Sequence, residues 1–251
     1  MISLKKMSTA AVALMVAAGA ATAGIDNAVN IGIGIKDAFG TGQDYTWNIQ
    51  VQGEFLDDNT YVARFDFADA TGLDLSLWDN LTGNEFVEYR AEGTNLRSGG
   101  AAQTVNLGFN VMAGFLNTSF TIDAADVAFA PLDTVTGSAS AAVSLTSTNF
   151  GVDATLSPDA AGAYNASYNS GTAFTSLFGG ALTATSLSTQ NYNDSFSGPI
   201  AGSVGDIDAA WAFTLSAFDL ASGTSTFTVV PAPASAALLG LGGLVAVRRR
   251  R

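Results

Sequence analysis

The 251-residue chain contains no cysteine and no histidine. Without cysteine no disulfide can form, so the folded part has to be held together by burial of side chains. Nucleophile systems that pair serine or cysteine with histidine cannot be built without these residues, and neither can the usual zinc sites. The missing residue types therefore exclude those classes of hydrolase and metalloprotein.

Basic residues are scarce between the two ends of the chain. Over residues 24–229, Lys36, Arg64, Arg90 and Arg97 stand against all 22 acidic residues, a formal charge of −18 compared with −12 for the full chain. Such a surface repels phosphate backbones, so the sequence predicts no nucleic-acid partner. It suits solubility in a salty medium, or the binding of divalent cations. Aspartate outnumbers glutamate 18 to 4, which favours turns over helices.

The chain also lacks an apolar run as long as the roughly 20 residues of a permanent transmembrane helix. Near the N-terminus, Lys5 and Lys6 precede a short apolar run over residues 9–18, and small side chains follow at residues 21–23. This order is typical of a secretory signal peptide. We therefore predict a signal helix over residues 1–23 that signal peptidase removes. The alternative is a buried helix of the folded domain, although nothing polar in such a helix would face water.

A second apolar run lies near the C-terminus. Residues 234–247 carry no charge, and as a helix they would reach roughly 21 Å, short of a hydrocarbon core about 30 Å thick. The run follows Pro231-Ala232-Pro233, and four arginines come after it, at Arg248, Arg249, Arg250 and Arg251. Cationic residues beside a membrane segment are retained on the cytoplasmic side. A chain in export would therefore pause with its tail in the membrane and its body outside.

The proline-containing motif, the short apolar helix and the arginine cluster together resemble the PEP-CTERM sorting signal, with Pro231-Ala232-Pro233 in place of the family's usual Pro-Glu-Pro. The resemblance covers residues 230–251. It implies a sorting tail that an exosortase-like membrane enzyme processes, in a bacterium that makes extracellular polysaccharide. It also implies an exported protein of the cell surface or extracellular space, anchored transiently in the inner membrane. A simple C-terminal membrane anchor is the alternative; a sortase LPxTG motif and the polar spacer of a GPI signal are absent.

Between the two terminal segments, apolar and polar residues alternate with a period of two, as in half-buried strands. The clearest stretch places Tyr45, Trp47, Ile49 and Val51 on one face. Further strands are predicted at residues 61–67, 73–77, 85–89, 105–111, 120–122, 127–129, 142–145, 150–156, 211–218 and 224–229. No stretch predicts a helix of three turns. The sequence therefore predicts an all-β domain over residues 24–229, a β-sandwich or jelly roll of antiparallel sheets.

Residues 134–205 differ in composition from the rest of this domain, because they are rich in Ala, Ser, Thr, Gly and Asn and poor in bulky side chains. Three interpretations are open: a second, smaller sheet layer, a β-solenoid-like stack, or a loosely ordered stalk. A subdivision of the domain near residue 134 is the corresponding hypothesis.

The tryptophans divide into two groups by strand parity. Trp47 and Trp211 share a face with other apolar residues, Trp211 with Phe213 and Leu215, so both are predicted in the core. Trp78 shares the polar face of its strand with Asp74. An exposed indole beside a carboxylate can stack on a sugar ring while the acid bonds hydroxyls, which makes these two residues a candidate carbohydrate contact. The alternative is that Trp78 packs under a loop.

Clustered aspartates suggest a calcium site as a second candidate, because calcium takes six to eight oxygen ligands. The candidate ligands are Asp57, Asp58, Asp66, Asp69, Asp206 and Asp208. None of these stretches matches the EF-hand order, and solvated loop acids are the competing interpretation. No other cofactor is predicted.

Paired carboxylates could cleave a glycosidic bond without histidine or cysteine. The chain has only four glutamates, and Glu85 and Glu88 would face opposite sides of a strand. We therefore expect a non-catalytic, structural or adhesive protein of the cell surface or matrix, with extracellular polysaccharide as a candidate partner. The alternatives are a carbohydrate- or calcium-binding module and, further off, a polysaccharide-cleaving hydrolase.

Overall fold

A computed structural model describes residues 28–35, 45–52, 54–55, 60–65, 89–94, 102–114, 116–124 and 127–231. All strand pairs in this part of the chain are antiparallel and no helix occurs in it, which confirms the predicted all-β, sandwich-like fold. It follows that no helix of these residues spans a membrane. The predicted signal helix and C-terminal helix lie outside the described residues.

The described part of the chain contains fourteen strands. They are β1 (Ala28–Ile35), β2 (Tyr45–Gln52), β3 (Glu54–Phe55), β4 (Thr60–Phe65), β5 (Tyr89–Thr94), β6 (Gln103–Met112), β7 (Thr118–Asp123), β8 (Val127–Thr146), β9 (Ala154–Pro158), β10 (Tyr164–Tyr168), β11 (Thr172–Leu177), β12 (Leu182–Ala184), β13 (Thr189–Leu215) and β14 (Leu220–Pro231). The main path through the sheet is β2-β1-β7-β13-β8-β14-β6-β5-β4-β3.

The long strand β13 organises the sheet. Along one edge it pairs first with β8, over residues 189–207, and then with β7, over residues 210–215. Its other edge pairs with β10 and β9 near the C-terminal end. Because β7 leads on to β1 and β8 leads on to β14, the two halves of β13 belong to different parts of one continuous sheet.

The sheet curls so that these two parts face each other. Phe109 on β6 lies 5.0 Å from the ring of Trp211 and 5.1 Å from that of Phe213, both on the C-terminal half of β13. Phe174 on β11 stacks 5.1 Å from Phe227 on β14. Aromatic contacts thus join one layer, with β1, β7 and β9 to β11, to the other, with β8, β14 and β6. The core lies between the layers.

Strict alternation fills this core. Along β6 every odd-numbered residue is buried, as predicted for residues 105–111. Trp211, Phe213 and Leu215 are fully buried, which confirms the predicted core position of Trp211. The buried indole N–H of Trp211 donates to Ser225 Oγ at 3.0 Å, so its one polar atom is paired.

Two irregularities in β13 change which parity faces the core. The pairing with β8 shifts between Ile200 and Ser203 and again between Val204 and Asp206, and Gly202 takes a left-handed φ of 89°. Buried residues are therefore even-numbered at Ile200 and Val204 but odd-numbered from Ile207 onward. Bulges of this kind bend a strand, consistent with β13 passing from one layer to the other.

The strands predicted at residues 127–129 and 142–145 are parts of one strand, β8, and two other predicted strands extend into turns of the structure. The strand predicted at residues 150–156 begins only at Ala154, because Phe150 lies in a turn with its side chain exposed. The strand predicted at 211–218 ends at Leu215, and Phe218 takes a left-handed φ of 64° in the turn that follows.

The segment of unusual composition, residues 134–205, contributes strands to both layers. The hypothetical boundary near residue 134 falls inside β8, which runs from Val127 to Thr146 and takes a left-handed φ of 55° at Thr134. Most of β13 also belongs to this segment. Residues 134–205 therefore form strands of the two sheet layers already described, and not a separate solenoid or stalk.

Candidate functional site

The outer face of β6, β14, β8 and β13 is made of small polar residues in register. Pairing aligns them in four rows across the four strands. Directly paired residues in antiparallel strands lie on the same face of the sheet. In strand order the rows are Thr104-Thr228-Ser138-Ser197, Asn106-Thr226-Ser140-Ser195, Gly108-Thr224-Ala142-Asn193 and Asn110-Ser222-Ser144-Asn191. We call these 16 residues the hydroxyl-amide face.

The composition of this face contrasts with the acidic chain that carries it. It contains six serines, four threonines, four asparagines, one alanine and one glycine, and no charged residue. The sheet continues beyond it through β5, whose Arg90 and Glu92 pair with Gly108 and Asn106. Across the four strands of the face, hydroxyl and amide groups are the polar groups that the side chains offer to a ligand.

The β6–β14 half of the face is partly bonded within itself, although Asn110 Oδ1 is buried without a hydrogen-bond partner among the described residues. Thr104 and Thr228 share a hydrogen bond of 3.0 Å between their hydroxyls, and the Thr226 hydroxyl donates to Asn106 Oδ1 at 2.8 Å. These residues are half-buried. Hydroxyl pairs across neighbouring strands stabilise a sheet by a few tenths of a kcal/mol to ~1 kcal/mol each. The β6–β14 half is therefore a fixed platform.

The other half presents its polar groups to solvent. Ser140, Asn193 and Ser195 are exposed, and their side chains bond to nothing else among the residues that the structure describes. Between them lies an open depression of about 430 Å³, whose lining also includes Ala142, Thr224, Thr226 and the acidic residue Asp194. The methyl of Ala142 is short beside its neighbours, so it leaves room above the sheet at the centre of the face.

The spacing of the face is regular. Neighbouring strands lie about 4.8 Å apart and alternate residues along a strand about 6.7 Å apart. Each serine or threonine hydroxyl offers one donor and two acceptor positions, and each asparagine amide offers both kinds of group. The face therefore suits a neutral ligand that is itself rich in hydroxyls. It has no cation to neutralise a phosphate or carboxylate.

Most of the sequence-predicted site residues lie outside the described part of the chain. This holds for the carbohydrate candidates Trp78 and Asp74 and for Asp57, Asp58, Asp66 and Asp69, whose roles stay predictions. It also holds for Ala232, Pro233, Arg248, Arg249, Arg250 and Arg251 of the sorting tail. Pro231 is the last residue of β14, where it pairs with Val135.

The remaining calcium candidates, Asp206 and Asp208, lie on β13 beside the β10–β11 turn. Asp206 Oδ1 accepts the backbone N–H of Ser170 at 2.7 Å, and Asp208 Oδ2 accepts the Ser167 hydroxyl at 3.4 Å. Asn169 and Ser170 take φ values of 48° and 57°, uncommon for residues other than glycine. The Asp206 carboxylate thus stabilises a tight turn. Within the described residues, no three acidic side chains come together as a metal site.

Several other carboxylates in this part of the chain also accept hydrogen bonds from neighbouring loops and strands. Asp153 accepts the N–H of Ser186 at 3.0 Å, Asp159 the Thr214 hydroxyl at 2.7 Å, and Asp194 the N–H of Phe178 at 3.1 Å. Asp219 is buried, and it accepts the N–H of Thr148 and the hydroxyl of Ser216. These aspartates act as fixed hydrogen-bond acceptors of the fold.

Among the described residues, Tyr164 is another titratable side chain buried in the core. Its hydroxyl has no hydrogen-bond partner of good geometry among the described residues. Burial raises the pKa of this hydroxyl well above its usual value; the nearby Ser225 hydroxyl opposes the shift and Asp208 adds to it. The phenol therefore stays neutral, and its ring packs 5.2 Å from Trp211 as part of the core.

No protein-family model matches the chain, and no curated protein sequence does. Among solved structures, it is similar to the VP2 subviral particle of infectious bursal disease virus, at 9% identity and a TM-score of 0.27, covering 84% of this chain and 59% of that one. The Gx strain structure of the same virus gives 9% identity, a TM-score of 0.22, and coverage of 84% and 68%. The chain spans about three fifths of the VP2 chain in the first.

Proposed function

We propose that the chain is an exported, non-catalytic protein of the cell surface or extracellular matrix, structural or adhesive in role, whose hydroxyl-amide face adheres to a neutral polysaccharide. The observation that carries this proposal is the uncharged face of 16 small residues, 14 of them polar, on a chain of net charge −12. Mixed charges would be expected on an ordinary solvent-exposed face of such an acidic protein.

The physical basis is complementarity of hydrogen-bonding groups. A neutral polysaccharide presents hydroxyls that both donate and accept, and so do serine, threonine and asparagine side chains. Each contact replaces bonds to water and contributes little by itself, and bridging waters can serve as well as direct bonds. A regular face engages several sugar units of one polymer together, so many weak contacts add up through avidity.

The charge of the remaining surface supports a preference for neutral over anionic polymers. From residue 98 to residue 247 the sequence has no lysine or arginine. An anionic polysaccharide that approaches this part of the chain meets only negative or neutral groups, and it is repelled over about 8–10 Å at physiological salt. Specificity would thus come from repulsion of the wrong partner as well as attraction of the right one.

The bonding of the acidic side chains supports a non-catalytic role. A glycoside hydrolase needs two carboxyl groups facing one cleft. Asp153, Asp159 and Asp194 each accept hydrogen bonds from the loops or strands that they hold together. The hydroxyl-amide face itself contains no carboxylate. A structural or adhesive role uses these groups as the structure arranges them.

Delivery to the cell exterior is the part of the proposal that rests on the terminal segments. Signal peptidase would remove residues 1–23, and an exosortase-like enzyme would process the tail after it had held the chain in the inner membrane. The position of Pro231 is compatible with this order, because β14 ends at that residue. Cleavage beyond Pro231 would leave every strand of the described sheet intact.

The binding proposal is tested by filling the depression at the centre of the face. Replacement Ala142→Arg puts a long side chain where the methyl now leaves room, so we expect retention on neutral polysaccharide to fall at least about tenfold, equal to roughly 1.4 kcal/mol. Affinity electrophoresis of the purified full-length chain through gels containing dextran or galactomannan measures this, with alginate as the anionic comparison. The matched control is Ala173→Arg, the same change at an exposed position of β11.

Wild type retained by a neutral polymer, with Ala173→Arg unchanged and Ala142→Arg weakened, is the expected pattern. Equal retention of all three proteins would show that the hydroxyl-amide face is not the binding surface. Stronger retention by alginate than by the neutral polymers would contradict the role assigned to charge.

A further inference from the structure

Three apolar side chains project into solvent at one end of the sandwich. Phe150 is 90% exposed, Leu187 59% and Val152 55%. They lie on two neighbouring loops, residues 147–153 after β8 and residues 185–188 before β13. We call these three residues the apolar tip. A phenylalanine exposed to this degree contributes little to folding, and its ring is accessible to a ligand.

Hydrogen bonds hold the tip in place. Ser186 joins the two loops: its hydroxyl accepts the N–H of Gly151 at 2.7 Å and donates to the carbonyl of Asn149 at 3.0 Å, and its own N–H donates to Asp153 Oδ1 at 3.0 Å. Asn149 Nδ2 also donates to the carbonyl of Ala217 at 3.0 Å. The apolar side chains are therefore presented by a preformed framework, which lowers the entropy cost of binding.

The backbone conformation at Leu187 is also unusual. Leu187 takes a left-handed φ of 55°, a conformation that side chains with a Cβ rarely adopt. In this conformation the leucine side chain is exposed, on the loop that Ser186 bonds to the loop of Phe150. Glycine or asparagine would fit the same turn more readily, so neither the turn nor the core requires leucine here.

The tip adjoins the hydroxyl-amide face. Thr146 ends β8 and Thr189 begins β13, and their hydroxyls share a hydrogen bond of 2.8 Å in the row beyond Asn191 and Ser144. Phe150 follows Thr146 by four residues, and Leu187 precedes Thr189 by two. A polymer lying along these two strands would meet the apolar tip as it leaves the face.

Two other occupants fit the tip less well. A stable contact with a second copy of the chain buries about 800 Å² on each partner, far more than three side chains provide. A membrane surface attracts apolar tips most strongly when basic residues accompany them, and the sequence has none from residue 98 to residue 247. A neutral sugar needs neither a large area nor positive charge.

We infer that Phe150 is an aromatic platform on which a ring of a neutral polysaccharide stacks, with Val152 and Leu187 widening the apolar surface. The aromatic face packs against the apolar C–H face of the sugar, while hydroxyls at the adjoining end of the sheet bond its polar edge. This inference rests on the proposed function and deepens it, since it adds an end to the binding face and an orientation to the polymer.

The test compares three variants of the full-length chain in the same affinity gels of dextran and galactomannan. Phe150→Ala should weaken retention about three- to tenfold, and Phe150→Trp should keep or strengthen it because the indole offers a larger face. The matched control is Phe196→Ala, since Phe196 is the other exposed phenylalanine of the described residues, 47% exposed. Its loss should leave retention unchanged. Thermal melting of each variant reports whether the fold survives.

The outcomes separate this inference from the proposed function. If Ala142→Arg weakens retention while Phe150→Ala does not, the face binds polysaccharide and the role of the tip is wrong. If wild type is retained by neither polymer, the proposed function fails. If Phe150→Ala instead abolishes binding to neutral phosphatidylcholine vesicles, or a dimer seen by light scattering, the tip serves a membrane or a second copy, and the inference is overturned.

Discussion

Asp219 shows how a single carboxylate can fasten one end of the sandwich. It lies in the turn between β13 and β14 and is 1% exposed. The N–H of Thr148 donates to it at 3.3 Å, and the Ser216 hydroxyl donates to its other oxygen. Burial raises the pKa of this carboxyl above its usual value, and the bonds from Ser216 and Thr148 offset part of the shift. The folded protein therefore binds the Asp219 proton more tightly than the unfolded chain does.

This raised pKa predicts the sign of a pH effect on stability. Because the folded state binds more protons between the unfolded and the folded pKa, the free energy of unfolding falls as pH rises through that window. In Asp219→Asn the side chain is neutral throughout. We expect the free energy of unfolding of wild type minus that of Asp219→Asn to be highest below the ordinary aspartate pKa and to decline above it.

Urea unfolding of both proteins, repeated from acidic to neutral pH, measures this difference. Using the difference between two proteins removes the contributions of the other aspartates, which titrate in both. A difference that stays constant with pH, or that grows as pH rises, would contradict the assignment of a raised pKa to Asp219.

At the scale of strands, glycines beneath aromatic rings set the packing of the core. Gly223 on β14 pairs with Phe109 on β6, and a Cβ at Gly223 would lie 2.5 Å from the Phe109 ring. The same arrangement recurs on β8, where a Cβ at Gly137 would lie 2.6 Å from the Phe174 ring. In both places the ring occupies the space above the glycine, and Phe109 reaches Trp211 from there.

Replacement Gly223→Ala should therefore displace the Phe109 ring from its contacts in the core. Overpacking of this kind typically costs about 1–3 kcal/mol, and we expect a matching loss in the free energy of unfolding by urea. Gly205→Ala on β13 is the matched control, because a Cβ there would meet only Pro131, at 3.9 Å. Equal stability of the two variants would show that the ring can move aside without cost.

The strands also show what the sequence could and could not predict. Along β6 the core residues are bulky and the outer ones polar, so alternation identified the strand. On β8 the inward residues include Ala139 and Ala141 and the outward ones Ser138 and Ser140, which gives weak contrast. On β13 the parity of buried residues changes at the bulges near Gly202, and a period of two cannot be followed across such a change.

The candidate site follows the same logic. Each strand of the hydroxyl-amide face shows its polar side in the sequence, as Thr104, Asn106 and Asn110 do on β6. The alignment of four such strands depends on pairings between residues as far apart as Thr104 and Thr228, which no local pattern contains. The hydrophobicity of Phe150 predicts a strand residue at this position, although the structure places it in a turn with its side chain exposed. Sequence alone therefore supplied the residue types of the site without their arrangement.

At the scale of the whole molecule, the sorting tail makes its own prediction. Deleting Arg248, Arg249, Arg250 and Arg251 removes the positive charge that would hold the apolar helix at the cytoplasmic face. We expect the variant that lacks the four arginines to lose membrane retention and to appear in the medium with the rest of its tail uncut. Replacing the four arginines by lysine preserves the charge, so this control should behave as wild type. Fractionation with intact-mass analysis measures both outcomes.

Unchanged surface attachment of the variant that lacks the four arginines would refute their role in retention. The same mass measurement on wild type checks the processing step, which predicts that residues 1–23 and the segment beyond Pro231 are lost. A mature protein that kept its arginine tail would rule out exosortase-like processing while leaving the binding face untouched.

The position of β14 between β8 and β6 determines how the sheet assembles. This strand is the last of the described strands in chain order, yet over residues 220–229 it is paired on both sides, with β8 and with β6. Until β14 is in place, β8 and β6 each have an unpaired edge whose N–H and C=O groups can pair with any other extended chain. A partly exported chain that lacks β14 is therefore prone to aggregate with other copies. The sheet is completed at its middle, when β14 inserts between β8 and β6.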